Sequence, residues 1–558
     1  MACMLQCPGL VGHGWPRNTP WRQRASLPSH VPVRCAGDSK PRAFLGALVL
    51  VTSSAASGAS AWAAARVRRW SRHRARPARL RRLPRWVAGG FLVEGNSETT
   101  KLPSEVSIGK LLTWARKQEF MKVHPVLSAR ASQLSVSVPV EAGTPLLGVL
   151  EDGFLFEPEP SDGEGVWQHL YQAARKQHPD WWALHLAIPL LRQSFSASFT
   201  SPIWQAHLQS IPLRPAAPHL WSLEQANELQ YVEIKAALKT RIEALQTFHR
   251  DHISPEETGS APSVLELGRA VAVAASRGME VKPGLRALIP VLDLIGPPEA
   301  TTCAGEDTPE PSCHFAMEPS GGPGGRAIAI VTAARDLRAG ECLSRDVDAC
   351  ADSLLLDWGL ASTSRRDDVS IHVGIKKGVA QSWQVSALRE LLDLRPGDDG
   401  GWVASARVRR SSSLRKALDP KLWVAARILG CSSKAEALGA DWDVRSREEM
   451  LRAGLDGVSA AHRRRALWVL KQAVQSALNY FETSAPDDEE VIRLTEDERQ
   501  RVAAAYRLGK KQILSDVLAL LDKADAKVAR RRASLEKETS LPAVVTGKRK
   551  STKGKGFG

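Results

Sequence analysis

Leu285-Arg-Ala-Leu-Ile-Pro-Val-Leu-Asp-Leu-Ile295 is an apolar run that breaks at Gly296-Pro297-Pro298. Proline has no N–H to donate to a sheet, so a buried strand has to end there. In the loop that follows, Gly321-Gly-Pro-Gly-Gly325 lacks the Lys-Ser/Thr of a phosphate loop and reads as a flexible turn. Ala327-Ile-Ala-Ile-Val331 is a second short apolar run and predicts another buried strand. Ala334-Arg-Asp-Leu-Arg-Ala-Gly-Glu341 and Ser353-Leu-Leu-Leu-Asp-Trp-Gly-Leu360 complete the stretch.

Outside it, 558 residues leave room for two or three domains, and 43% apolar with 24% charged residues is a globular composition. The net charge of +16 is unevenly placed. Residues 1–93 hold 16 Lys and Arg against one acid, Asp38, which leaves 60 basic and 59 acidic residues for 94–558. The basicity belongs to a leader, so attraction to phosphate backbones loses its support and no nucleic-acid partner is expected. Cys3, Cys7 and Cys35 lie in that leader, and Cys303, Cys313, Cys342, Cys350 and Cys431 show no zinc spacing. His314 near Cys303 and Cys313 lacks a fourth ligand, so no metal is expected.

Residues 1–94 read as a targeting leader. No charge occurs from Ala43 to Ala65, Phe44 to Val51 is strongly apolar, and Ala59-Ser60-Ala61 has a small-x-small cleavage pattern. An acid-free, Arg-rich tract from Arg66 to Arg85 follows. A signal segment feeding a transit-type segment resembles the two-part leaders that deliver proteins to plastids of secondary origin. The alternative is an uncleaved membrane anchor in the secretory pathway, since the 23 uncharged residues at 43–65 are long enough to span a bilayer.

In the body, Ile108, Leu111, Leu112 and Ala115 recur at helical spacing. Ser135-Val-Ser-Val-Pro-Val140 alternates as a strand, Glu141-Ala-Gly143 turns, and Leu146-Leu-Gly-Val-Leu150 reads as its hairpin neighbour. From Val166 to about Gly278 the pattern is helical, with Trp181, Trp182, Leu184, His185, Ile188 and Leu191 along one segment. Seventeen Trp is many, but those at helical intervals among Leu and Ile read as core. Val369-Ser-Ile-His-Val373 follows a polar linker, and the chain is then mostly helical to about residue 537. The helices there include Leu422–Leu429, Ala466–Tyr480, and a stripe of Tyr506, Ile513, Val517 and Leu520. Thr483-Ser-Ala-Pro-Asp-Asp-Glu-Glu490 breaks and caps, with acids where a helix dipole favours them.

The order "apolar strand, Asp-Leu-Ile, loop, strand, Arg-Asp-Leu-x-x-Gly-Glu, Leu-Leu-Leu-Asp-aromatic-Gly" resembles the SET domain of the Rubisco large-subunit methyltransferase family. Tyr480-Phe-Glu-Thr-Ser484 and Tyr506-Arg-Leu-Gly-Lys-Lys-Gln-Ile-Leu514 resemble that family's C-terminal substrate-binding domain. The matches run over roughly residues 100–520. The resemblance implies an α+β fold: a SET domain with small sheets of knotted-type topology over 95–362, carrying a helical insert at about 166–280. An all-α substrate-binding domain over 363–537 and a basic tail over 538–558 would follow. It also implies methyl transfer from S-adenosylmethionine to the lysine of a plastid stromal protein, presented by the C-terminal domain.

Carried over residue by residue, the family's cofactor glycines fall at Ala131 and Gln133. Asp293 belongs to the Asp-Leu-Ile segment, and the Asn-His-Ser triplet after it falls at Gly296, Pro297 and Pro298. The catalytic tyrosine falls at Arg345, and the tyrosine of the Asp-Tyr-Gly-Phe run becomes Trp358. None of the four Tyr (Tyr171, Tyr231, Tyr480, Tyr506) lies between 285 and 360. An arginine about 4 Å from a sulfonium would be repelled by about 4 kcal/mol at an effective dielectric of about 20, unless it turns to solvent or pairs with Asp346 or Asp348. Two readings therefore stand. One is a lysine methyltransferase in which Ser344 or Asp346 stands in for the missing groups. The other is a non-catalytic descendant that keeps the protein-binding surface.

Overall fold

Among the residues described, the strands form four small antiparallel sheets, each covered by helices that the apolar periodicity calls for. The computed structural model describes residues 105–539, except 131–132, 158–164, 196–203, 205–206, 209–216, 254–260, 299–309, 320–325, 348, 362–366, 376–379, 393, 397–401, 439–448 and 450–457. The leader, its 43–65 segment and the tail beyond 539 lie outside these residues.

Helix α1 (Glu105–Ala115) buries Ile108, Leu111, Leu112 and Ala115, the stripe its spacing predicts. Strand β1 (Met121–Val123) pairs with β4 (Pro145–Leu150), and β4 with β9 (Ala327–Ala333), which pairs with β8 (Cys313–Pro319). Leu146, Leu147 and Val149 of β4 are all buried.

The expected hairpin of 135–140 with 146–150 is not formed. Strand β3 (Gln133–Val136) pairs instead with β2 (Leu127–Arg130), and β4 turns to β1 and β9. Val138 is 48% exposed, and Val140 bridges to Leu337, so the alternation beyond Val136 belongs to a crossing and not to a strand.

After β5 (Leu155–Phe156) come α2 (Val166–Gln177), α3 (Trp182–Phe195), α4 (Leu223–Asn227), α5 (Val232–His252) and α6 (Val264–Arg277). Capping boxes at Ser222 and Ser263 open α4 and α6 by satisfying the first free backbone donors. Strands β6 (Met279–Lys282) and β7 (Leu285–Leu288) complete the sheet of β5. The strand expected over 285–295 is shorter. Pro290 and the left-handed Val291 (φ 69°) end it, and Leu292–Leu294 forms a 3-10 turn.

Helix α7 (Ala351–Ser353) runs into a π-turn at Leu354–Trp358, closed by left-handed Gly359 (φ 65°). The C-terminal region then contains a sheet that the sequence reading missed: β10 (Asp368–Ile375), β12 (Trp402–Arg409) and β11 (Arg395–Pro396), in the order β10-β12-β11. Helices α8 (Ser382–Leu391), α9 (Leu414–Ala417), α10 (Pro420–Gly430), α11 (Lys434–Leu438), α12 (Ala460–Asn479), α13 (Ala485–Leu494) and α14 (Glu498–Thr539) make up the rest. Tyr506, Ile513, Val517 and Leu521 of α14 are buried in a core shared with Tyr231 of the insert and Leu355 and Leu356 of the π-turn. Among the described residues, no helix is long and apolar enough to cross a membrane.

Candidate functional site

The turn after β7 is built inward. Asp293 N donates to Ile289 O (3.0 Å), which turns the carboxylate into the core, where it is 1% exposed. A carboxylate so placed needs partners. His207 supplies one, with Nε2 2.8 Å from Asp293 Oδ2 and both side chains fully buried, and Trp204 packs its ring edge-on to this imidazole at 5.2 Å. Arg277, the last residue of α6, places Nη1 3.4 Å from Asp293 O and 4.0 Å from Oδ1. Among the described residues Oδ1 accepts no hydrogen bond. Burial pulls the Arg277 guanidinium down, and Asp293 opposes that pull.

The segment that contains Arg345 lies against this turn. Arg345 N donates to Gly296 O (2.9 Å), its Nε donates to Ile295 O (2.8 Å), and Cys313 N bonds Ser344 O (2.9 Å). The guanidinium carbon is 5.8 Å from the Trp358 ring centre. Burial pushes the group down to about 10, against the attraction of Asp293, while Arg277 and Arg286 repel it and push further. Trp358 ends the π-turn, which Arg241 ties down through Asp357 Oδ1 (2.7 Å) and Leu356 O (3.2 Å). A Cβ at Gly296 would meet Trp358 Cζ3 at 3.5 Å, so the indole lines the space a side chain at 296 would enter.

Asp293, Gly296, Arg345 and Trp358 thus converge, with half-buried Pro297 and Pro298 next in the chain. Gln133 opens β3, whose Leu134 O accepts from Leu343 N (2.7 Å), so that strand flanks the Arg345 segment. Ala131 lies outside the described residues. Of the expected escapes for Arg345, pairing with Asp346 is not formed: the Arg345 side chain bonds a backbone carbonyl, and Asp346 is exposed. Asp348 lies outside the described residues. Ser344 Oγ accepts from Ser312 N (3.1 Å), so it is already engaged. His207 and Arg277 were missed by the sequence reading. Their only signal was a polar residue inside an apolar helical stretch.

A protein-family model described as Rubisco LSMT substrate-binding matches residues 387–514. Among solved structures, the SET domain of LSMT bound to lysine and AdoHcy superposes with a TM-score of 0.56 at 15% identity, covering 78% of this chain and 96% of that one. Rubisco LSMT bound to AdoMet gives 0.54 at 15% identity, over 78% and 97%. Rubisco LSMT bound to sinefungin and monomethyllysine gives 0.54 at 15% identity, over 79% and 97%. This chain has the LSMT-like SET fold. No curated protein matches it in sequence. The 293–296 turn, Arg345 and Trp358, which the sequence resemblance assigned to one site, lie together.

Proposed function

We propose that this is a non-catalytic protein of the LSMT-like fold that binds a protein partner through its C-terminal region, in a plastid. The observation that carries the reading is Arg345. Where the resemblance puts a tyrosine hydroxyl, a guanidinium is anchored on Ile295 O beside Trp358. S-adenosylmethionine, which the resemblance implies, carries a sulfonium cation, and Arg277 and Arg286 already crowd Arg345 with like charge. The positions assigned to an Asn-His pair are Gly296 and Pro297, which offer no side-chain donor, and Pro297 offers no N–H either. These residues do not fit the cofactor. Partner binding rests on the substrate-binding match at 387–514, and the plastid address on the two-part leader at 1–94.

The test is calorimetric titration of S-adenosylmethionine and S-adenosylhomocysteine into the folded full chain. No heat at millimolar ligand is the expected result. Micromolar binding would return the protein to the lysine methyltransferases and send the search to methylated stromal proteins. Fractionation of cells expressing the tagged chain checks the address. A membrane-bound protein of undiminished length would favour the anchor at 43–65.

A further inference from the structure

The turn that displaces a sulfonium has a charge of its own to satisfy. Arg345 is fixed at one end only: its backbone N and its Nε bond Gly296 O and Ile295 O. Among the described residues, its two terminal amines meet no acceptor, and the side chain is half-buried beside the Trp358 indole. Among the described residues of this turn the carboxylate is Asp293, which is fully buried and engaged by His207 and Arg277. Arg286, on β7, has its own partner in Glu280 (3.5 Å) and rests on Trp182, 4.2 Å from the ring centre. Arg345 is therefore a positive charge in partly apolar surroundings whose free edge is the face that binds oxyanions in pairs of parallel hydrogen bonds.

We propose that Arg345 is an oxyanion receptor, taking a carboxylate or phosphate group on its terminal amines against the face of Trp358. The inference rests on the non-catalytic reading, since it needs the place of a sulfonium to be open to an anion. The nearby arginines strengthen the field for an anion and repel a lysine or a sulfonium. Two sources share this chemistry: a free small oxyanion, and an acidic side chain of the bound partner.

The experiment titrates three probes into the full chain at low ionic strength: inorganic phosphate, an N-acetylated triglutamate amide, and S-adenosylhomocysteine. Binding of phosphate alone assigns a free ligand, and tighter binding of the peptide assigns a partner carboxylate. In either case R345Q is expected to weaken binding by about ten- to a hundredfold, as loss of hydrogen bonds to a charged group does. R345K keeps the charge without the planar fork and is expected to fall between. Should R345Q not fold, R345K alone decides: affinity equal to wild type overturns the proposal. So does the absence of binding by both anions, or an R345Q that binds as wild type does. The third probe, which has no sulfonium but carries a carboxylate of its own, separates the two claims when R345Q is titrated beside wild type. Heat from S-adenosylhomocysteine that R345Q leaves undiminished sinks the non-catalytic reading, whereas silence from all three sinks only the oxyanion receptor.

Discussion

At the seam between α14 and the rest of the chain, Arg507, Lys510 and Lys511 are almost completely buried, and each meets a carboxylate. At the Asp293 turn, Arg277 and Arg345 share one. Arg507 bonds Asp488 (2.8 Å) and Glu228 (3.1 Å), and Lys511 bonds the other Asp488 oxygen (2.5 Å) and Thr483 Oγ1 (2.9 Å). Lys510 reaches Asp367 (2.5 Å), Asp352 (2.7 Å) and Asp368 O (2.7 Å), with the ring centres of Tyr231 and Tyr506 5.5 and 5.1 Å from its Nζ. The seam's basic residues fall inside the 387–514 match, whereas the Asp293 turn lies outside it. The difference separates two kinds of requirement. A buried charge between packed elements must be paired or the fold fails. A catalytic hydroxyl is needed by the reaction and not by the packing, so it can be lost while the fold stays.

The largest expected effect breaks the seam. Asp488→Ala leaves Arg507 and Lys511 buried without their common partner, which should cost about 3–5 kcal/mol in urea unfolding. A loss under about 1 kcal/mol would mean that the seam is not what holds α14 down.

The seam is also sensitive to pH. Burial pushes Asp367 up to about 6 from 3.8, with Lys510 pulling down and Asp352 and Asp368 pushing up. Burial also lowers Lys510, but Asp352 and Asp367 more than offset it, so its charge persists. With a raised carboxyl, the folded chain binds more proton than the unfolded one between about pH 4 and 6. Its contribution is therefore present at the acid end and lost as pH rises through 6. Asp367→Asn cannot titrate, so stability of the variant relative to wild type should climb by ~3 kcal/mol over that window, at about 1.4 kcal/mol for each pH unit it spans. Parallel stability profiles for the two proteins would remove Asp367 as the cause.

Much of this contrast was already visible in the amino-acid order. The stripe of α1 read correctly, and so did Tyr506, Ile513 and Val517 of α14, because a helix writes its buried face into local spacing; on α14 it is Leu521, and not the expected Leu520, that is fully buried. The hairpin at 135–150 was misread because β4's partners, Val149↔Ala329 and Met121↔Val149, are set by distant packing that local alternation does not encode. Strand β12 was missed because its inward residues include Ala404 and Ala406, whose small side chains give a weak period-2 signal. At the site, the closeness of Gly296 and Arg345 followed from motif order. The Asp293–His207 pair spans 86 residues and the insert, and nothing local announces it.

Glycines sharpen the comparison at smaller amplitude. Where α10 crosses α12, a Cβ at Gly430 would stand 2.8 Å from Ala466 N and 3.0 Å from its Cα, both backbone atoms that cannot swing away. Gly430→Ala should destabilise by about 1–3 kcal/mol in the same unfolding assay. An unchanged midpoint would show that these helices can slide apart.

Gly296 makes the opposite demand. A Cβ there meets only Trp358 Cζ3, at an ordinary 3.5 Å, and its backbone carries no positive φ. Gly296→Asn, which supplies the side chain that the resemblance assigns to this position, should therefore shift stability by no more than about 0.5 kcal/mol. With Arg345 still anchored on Ile295, the variant should also remain silent to S-adenosylhomocysteine in calorimetry. Pairing Gly296→Asn with Arg345→Tyr separates the two defects. Binding by the double variant alone would place the obstacle in the guanidinium. Binding by Gly296→Asn alone would place it in the missing amide and leave Arg345 a bystander.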